Sequence, residues 1–551
     1  MKTASVRKLV SFALIITMSS VAPAQSSKDK PAFQLMETSI SQVEAAYKSG
    51  QLTVHQLVQM YLDRVAAYDK SGPGINCVIM LNPDALTEAD KLDAEFKKSG
   101  PVGPLHGIPI FVKDQIDAAG MPTTLGSVVF KDYMPPQDSY VVAKLRKAGA
   151  IIMGKTTLGE FGGGDSYGSL YGATHNPYGL DRTVGGSSGG SGACLTANMS
   201  TVAVGEEGFA SIRRPSTWND VVGMRPTAGL VSRAGMYDGY PSQVGSPGPM
   251  ARTVTDLAKL LDVMVGYDPE DPVTALGYGQ APHESYTKFL VKDGLKGARI
   301  GIIRESIGNN SDPKSDDFKK VDVVFDRAVE ELKAAGAVVV DPLVIPNINS
   351  LIAKRAASAE ESAAALKTWL ARNPNSPYKT REDVENSPDI GKIIPPPKAA
   401  SWAKGAPKPS EAKYGEYLIA REQLRIAIAK VMADNQLDAI VHKSVEHQPT
   451  LIADGLNPPY QSSKGVPHIN TFLIYAASMT VPAGFTSDSL PVGITFFGMP
   501  YSEPTLLKLA YSYEQATHHR IPPTTTPPLE IKAEIPTKQD KSVSVAKGGA
   551  F

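Results

Sequence analysis

The sequence predicts an α/β protein, and three observations carry that reading. Residues 38–70 place Ile40, Val43, Tyr47, Leu57, Tyr61 and Val65 at helical spacings, the pattern of an amphipathic helix pair. Leu105 to Val112 is a nearly continuous apolar run, and a strand of that apolarity is interior. Residues 139–155, SYVVAKLRKAGAIIMGK, join a helix to a strand in the order that supports a parallel sheet.

Taken in order, the chain begins with Lys2, Arg7 and Lys8, an apolar run from Leu9 to Met18, and Ala22, Pro23, Ala24. This is the pattern of a secretory signal peptide over residues 1–24, with the mature, exported chain starting at Gln25. The run is too short to span a bilayer, and no later stretch reaches the length a membrane helix needs. After the helix pair, Cys77 to Leu81 reads as a buried strand and residues 84–98 as a charged helix. A turn at Pro101 to Pro104 leads into LHGIPIFVKD, residues 105–114, which ends with Lys113 beside the core. A lysine there is seldom tolerated without a reason, although a stem that snorkels to water would suffice. Residues 156–176 run through Glu160, Phe161 and Gly162, Gly163, Gly164, glycines that suit either close approach of backbone to a ligand or a plain surface loop.

The stretch from Gly185 to Pro215 organises the rest. Gly185 to Gly190 reads GGSSGG, which has the composition of a linker, yet apolar periodic segments flank it closely on both sides. Small, helix-tolerant residues follow from Ser191 to Met199, then a strand-type run from Thr201 to Val204 bounded by Gly205, then a second loop that delivers Ser211. A loop, helix, strand, loop path can therefore bring Ser187 and Ser211 together. Further on, Lys296 to Arg304 reads as a strand, residues 317–335 as a helix and 336–343 as a strand. Residues 345–436, rich in alanine and charge and interrupted by Pro395 to Pro397, read as a helical insertion. Leu437 to His442 and the apolar segments of Gly465 to Gly498 close the domain, which spans residues 25–525. The tail, with TTTPP after Ile521 and late lysines, is expected to be disordered, above all over 526–551.

Composition narrows the function classes. Lys plus Arg equals Asp plus Glu at 56 each, so no global field favours nucleic acid or an anionic membrane, and a small-molecule partner is the default. The 2 cysteines, Cys77 and Cys194, are too few for a disulfide framework and read as buried free thiols. The 9 histidines show no metal-ligand spacing.

GGSSGG followed by Gly208, Phe209, Ala210, Ser211, Ile212, Arg213 resembles the amidase signature family of serine hydrolases, as does the HGIPI-V-KD segment at His106 to Asp114. Thr123, Thr124, Gly126 and Ser127, Val221 to Pro226, Ala228 to Arg233 and Pro247 to Asp256 match further family runs, so the resemblance covers residues 38–523. It implies a mixed central sheet flanked by helices on both faces, no metal and no organic cofactor. By position it implies Ser211 as nucleophile, Ser187 as the bridging serine after a cis peptide bond, and Lys113 as terminal base; His106 is left structural. A serine hydroxyl needs a base to become a nucleophile. Lys113 can serve only when neutral, and burial disfavours its ammonium. The oxyanion would be held by backbone N–H groups among Gly208, Phe209, Ala210 and Ser211. The resemblance also places Gly162 to Gly164 in a substrate-facing loop.

The match departs from the family at the second loop, where Thr-Asp-Thr-Gly-Gly-Ser becomes Glu206, Glu207, Gly208, Phe209, Ala210, Ser211. If either replaced glycine requires positive φ, the side chain there is strained. Glu207 is expected to pair with Arg213, and both glutamates to offset the arginines at the start of the next helix. Arg214 stands where a malonamate-cleaving branch holds its substrate's carboxylate, and is expected to grip such a group. Leu366 to Glu385 resembles the peptide-amidase branch, so the expected substrate is a linear carboxamide, a peptide amide or an N-acyl or aryl amide. A carbamate or ester hydrolase, a silent amide-binding protein, and the amidase component of a tRNA-dependent amidotransferase are the alternatives, the last disfavoured by export.

Overall fold

In the computed structural model, Met1 and residues 33–529 are described; the signal-peptide segment and residues 530–551 lie outside them. The strands in chain order are β1 (Val78–Leu81), β2 (Pro109–Lys113), β3 (Ile151–Thr156), the short β4 (Tyr167–Gly168), β5 (Gly172–Ala173), β6 (His175–Asn176) and β7 (Gly179–Thr183), then β8 (Val202–Glu206), β9 (Val222–Arg225), β10 (Pro247–Ala251), β11 (Arg299–Ile302), β12 (Val338–Val340), β13 (Ala439–Lys443), β14 (Ser478–Phe485) and β15 (Pro491–Phe497). Eleven of them form one sheet in the order β1-β3-β2-β8-β10-β9-β14-β15-β13-β11-β12. The sheet is mixed: β2 runs parallel to β3 and β8, and β11 parallel to β12 and β13, while the strands between pair antiparallel.

Helices cover both faces, because strands this apolar leave neither face to water. Gly189–Thr196, buried along its whole length, packs with Arg213–Trp218. In a second layer, Glu503–Thr517 packs against both Val254–Met264 and Asp316–Ala334. Asp316–Ala334 buries Phe318, Val321, Phe325, Ala328 and Leu332, a stripe at helical spacing, and Ser315 caps its first turn. The predicted helix pair is Ile40–Ser49 and Val54–Tyr68; each opens with a capping box, Ser39 with Gln42 and Thr53 with Gln56.

Two expectations need correction. Cys77 to Leu81 forms an edge strand rather than a buried one: β1 pairs only with β3, and Leu81 is 40% exposed. The expectation of disorder from Ile521 does not hold for residues 521–529. Arg64, buried, donates to the carbonyls of Thr526 and Pro527 at 2.8 and 2.9 Å, Tyr68 donates to Pro527 at 2.8 Å, and Leu529 rests on the core. Both cysteines are buried and free.

Candidate active site

The carboxyl ends of parallel strands are where α/β sheets gather ligands, because the loops leaving them converge. Here β2 ends at Lys113 and its parallel neighbour β8 ends at Glu206. The Lys113 side chain is fully buried. Its ammonium donates to Ser187 Oγ at 2.7 Å, to the Glu206 carbonyl at 3.1 Å and to Glu206 Oε2 at 2.9 Å. Burial pulls its pKa below the ordinary lysine value, against the opposing attraction of the Glu206 carboxylate.

Ser187 lies in a loop set by its glycines. The Gly186–Ser187 peptide bond is cis. A Cβ on Gly186 would sit 2.4 Å from the Gly164 carbonyl oxygen, and one on Gly190 2.4 Å from Thr157 Oγ1. The hexapeptide is thus close-packed, not a linker. Ser188 ties the two serine loops together: its N–H donates to the Ser211 carbonyl at 3.0 Å, its hydroxyl donates to the Glu206 carbonyl at 3.0 Å and accepts from the Glu206 N–H at 3.1 Å.

Ser211 follows β8 and precedes the helix Arg213–Trp218, so it stands just before that helix rather than opening it. Glu207 organises this turn. Its carboxylate accepts from the N–H groups of Ile212 and Arg213, both at 3.0 Å, and from Arg213 Nε at 2.9 Å. Burial works to raise the Glu207 carboxyl, but the Arg213 guanidinium outweighs it and holds the group below the ordinary carboxylate value. The expected Glu207–Arg213 pair is therefore present. Neither Phe209 nor Ala210 has positive φ, so replacing the two glycines strains nothing. Among the described residues, no acceptor takes the N–H of Gly208, Phe209, Ala210 or Ser211.

These four residues line a cavity of about 640 Å³, together with Gly162, Gly163, Gly164, Glu206 and Arg214. The segment around Gly162 is held from the helical insertion: Phe161 stacks on Trp402 with ring centroids 4.2 Å apart, and Lys398 Nζ donates to the Gly163 carbonyl at 2.6 Å. The insertion also brings Arg355 to the cavity wall, its guanidinium 4.1 Å from the centre of the Phe209 ring.

Two sequence expectations about charge are overturned. Arg214 is not a free fork for a substrate carboxylate. It is buried, ion-paired with Asp165 at 3.1 Å, and donates to the carbonyls of Gly186, through Nε at 3.0 Å, and Gly164 at 2.8 Å. Glu206 does not offset the arginines either, since its carboxylate is taken by Lys113. Sequence reasoning also missed Asp165, Asp238, Arg355 and Lys398. Of these only Asp165, next to the triple glycine, stood near a stretch the motifs had marked. His106 is packed against Tyr47 and Phe96, away from this cluster.

A mixed sheet of this order, with a lysine buried at the end of an interior strand, is the architecture of the amidase signature enzymes. The profile of the family described as Amidase matches residues 56–507. A probable amidase of Arabidopsis thaliana is 32% identical over 536 residues, 94% of this chain and 96% of that protein. The A component of the glutamyl-tRNA(Gln) amidotransferase of Methanosarcina barkeri is 32% identical over 88% of this chain and 98% of its own. Among solved structures, native peptide amidase from Stenotrophomonas maltophilia superposes with a TM-score of 0.76 at 34% identity, covering 89% of this chain and 98% of that one. The chain belongs to the amidase family and is an amidohydrolase of carbon–nitrogen bonds.

Proposed function

We propose that this enzyme hydrolyses a linear carboxamide, a peptide amide or an N-acyl or aryl amide of modest size, outside the cytoplasm, through an acyl-enzyme on Ser211. The observation that carries the reading is the buried 2.7 Å contact between Lys113 Nζ and Ser187 Oγ, whose neighbours Gly186 and Glu206 line the same cavity as Ser211. Once Lys113 has lost its proton, the same contact reverses: Ser187 donates to the amine and can accept the proton of Ser211 as that oxygen attacks the amide carbon. The N–H groups of residues 208–211, which no acceptor among the described residues engages, are the donors assigned to the negative charge that develops on the carbonyl oxygen. The proton returns by the same route to the leaving amine, and water then releases the acid. Kinship with a peptide amidase supports the substrate class, and the signal-peptide pattern supports export.

Ser211→Ala, Ser187→Ala and Lys113→Ala should each lower kcat by about a thousandfold or more and combine non-additively, since the three act as a unit. A fluorophosphonate should attach to Ser211, located by mass spectrometry. An active Lys113→Ala enzyme at neutral pH, or a label on another serine, would overturn the assignment. A hydrolysis screen across peptide amides, anilides and carbamates decides the substrate, and the N-terminus of the exported protein, expected at Gln25, tests secretion.

A further inference from the structure

The family pattern carries an uncharged threonine where this chain has Glu206, and the structure puts that side chain against the amine on which the mechanism depends. Glu206 ends β8, one strand over from Lys113, and its side chain is only 4% exposed. The ladder leaves it little freedom: its N–H and carbonyl are both held by Ser188, and the next residue pairs with Ser246 across the sheet. A threonine could not place a charge here. The carboxylate at 2.9 Å can, and two opposite charges this close in a poorly hydrated site attract strongly.

We infer that Glu206 is a positioning residue for Lys113, which holds the amine against Ser187 and keeps it protonated to higher pH than burial alone would, so that hydrolysis is switched on by loss of a proton from this pair. The inference rests on the Ser211, Ser187, Lys113 reading above. It gives the enzyme an acid limb at higher pH than a lysine that was merely buried would give. The other charged groups that face the pair do not replace Glu206. Glu207 is committed to Arg213. Arg225, on β9, is buried and lies close enough to feel the charges of Glu206 and Glu207. Asp238, on the loop after Arg233, is raised to about 7, by burial first and then by the charge of Glu206. Lys398, from the insertion, is lowered to about 7 by burial, with Lys113 adding repulsion.

The experiment is the pH dependence of kcat/KM on one neutral amide, in wild type and in Glu206→Gln, Glu206→Asp and Asp238→Asn. Glu206→Gln should move the acid midpoint down by about one pH unit or more, which appears as roughly a tenfold gain in kcat/KM well below the wild-type midpoint. Glu206→Asp should keep the midpoint near that of wild type, and Asp238→Asn should move it less than Glu206→Gln does. An unmoved midpoint in Glu206→Gln, or a larger shift in Asp238→Asn, overturns the inference. Should Glu206→Gln fail to fold, the pH dependence of fluorophosphonate labelling of Ser211 is compared between wild type and Glu206→Thr. A lower midpoint in Glu206→Thr supports the inference, and an unmoved one refutes it. Lys113→Ala separates the two levels of argument. If it is inactive while the Glu206 variants titrate like wild type, the triad stands and Glu206 is merely structural.

Discussion

Lys113 and Arg214 are both buried cations, and each is tolerated for a different reason. Lys113 is held by a serine and a glutamate in a place where its proton can be lost; Arg214 is locked by Asp165 and two carbonyls and can lose nothing. Removing one partner of a buried pair leaves the other charge without compensation. Arg214→Leu should therefore cost about 3–5 kcal/mol of stability, measured by denaturant unfolding. It should also reduce turnover of carboxylate-bearing and neutral amides alike, because what it loosens is the backbone around Gly186. A loss confined to carboxylate-bearing substrates would restore the substrate-clamp reading. At this scale the sequence showed the local Glu207–Arg213 pair but not the partners of Glu206 and Arg214. Glu206 and Arg214 lie within a few residues of that pair, yet their own partners, Lys113 and Asp165, come from elsewhere in the chain.

The elements tell a similar story. Helices such as Ile40–Ser49 and Asp316–Ala334 were legible because a repeating apolar stripe and a capping residue are local properties. The strand identity of β1 was legible too, but not its edge position, since alternation says nothing of what lies beside a strand. GGSSGG reads as flexible in isolation, yet Gly190 is required because a Cβ would meet Thr157, a residue far away in sequence. The insertion was recognised as helical, but its role in holding Phe161 and Gly163 came only with packing. Trp402→Ala removes the ring stacked on Phe161 and part of a buried aromatic cluster with Phe130 and Trp369. It should destabilise by about 3 kcal/mol and raise KM with a smaller effect on kcat, as the Gly162 to Gly164 wall loosens. Unchanged KM in a stably folded variant would mean that this wall does not touch substrate.

At the scale of the whole molecule, the chain closes on itself. Arg64, on the second helix, donates to the Ala197 carbonyl at 2.7 Å as well as to Thr526 and Pro527, so the segment after Ile521 is tied to the end of the buried helix Gly189–Thr196 that follows the Ser187 loop. Truncation after Arg520 leaves that guanidinium short of two charge-assisted hydrogen bonds, and should lower unfolding free energy by at least about 2–3 kcal/mol. The denaturation midpoint measures this, and an unchanged midpoint would show the segment to be passive. The sequence by itself determined the α/β class and the family, and marked Lys113, Ser187 and Ser211 as candidates, because periodicity, turn chemistry and motif spacing are written along the chain. Only the tertiary structure decided the strand order, the commitment of Arg214 to Asp165, the contact of Glu206 with Lys113 and the burial of Thr526. Each of those depends on which distant groups share a volume from which water is excluded, and burial is what turns a nearby charge into a strong partner.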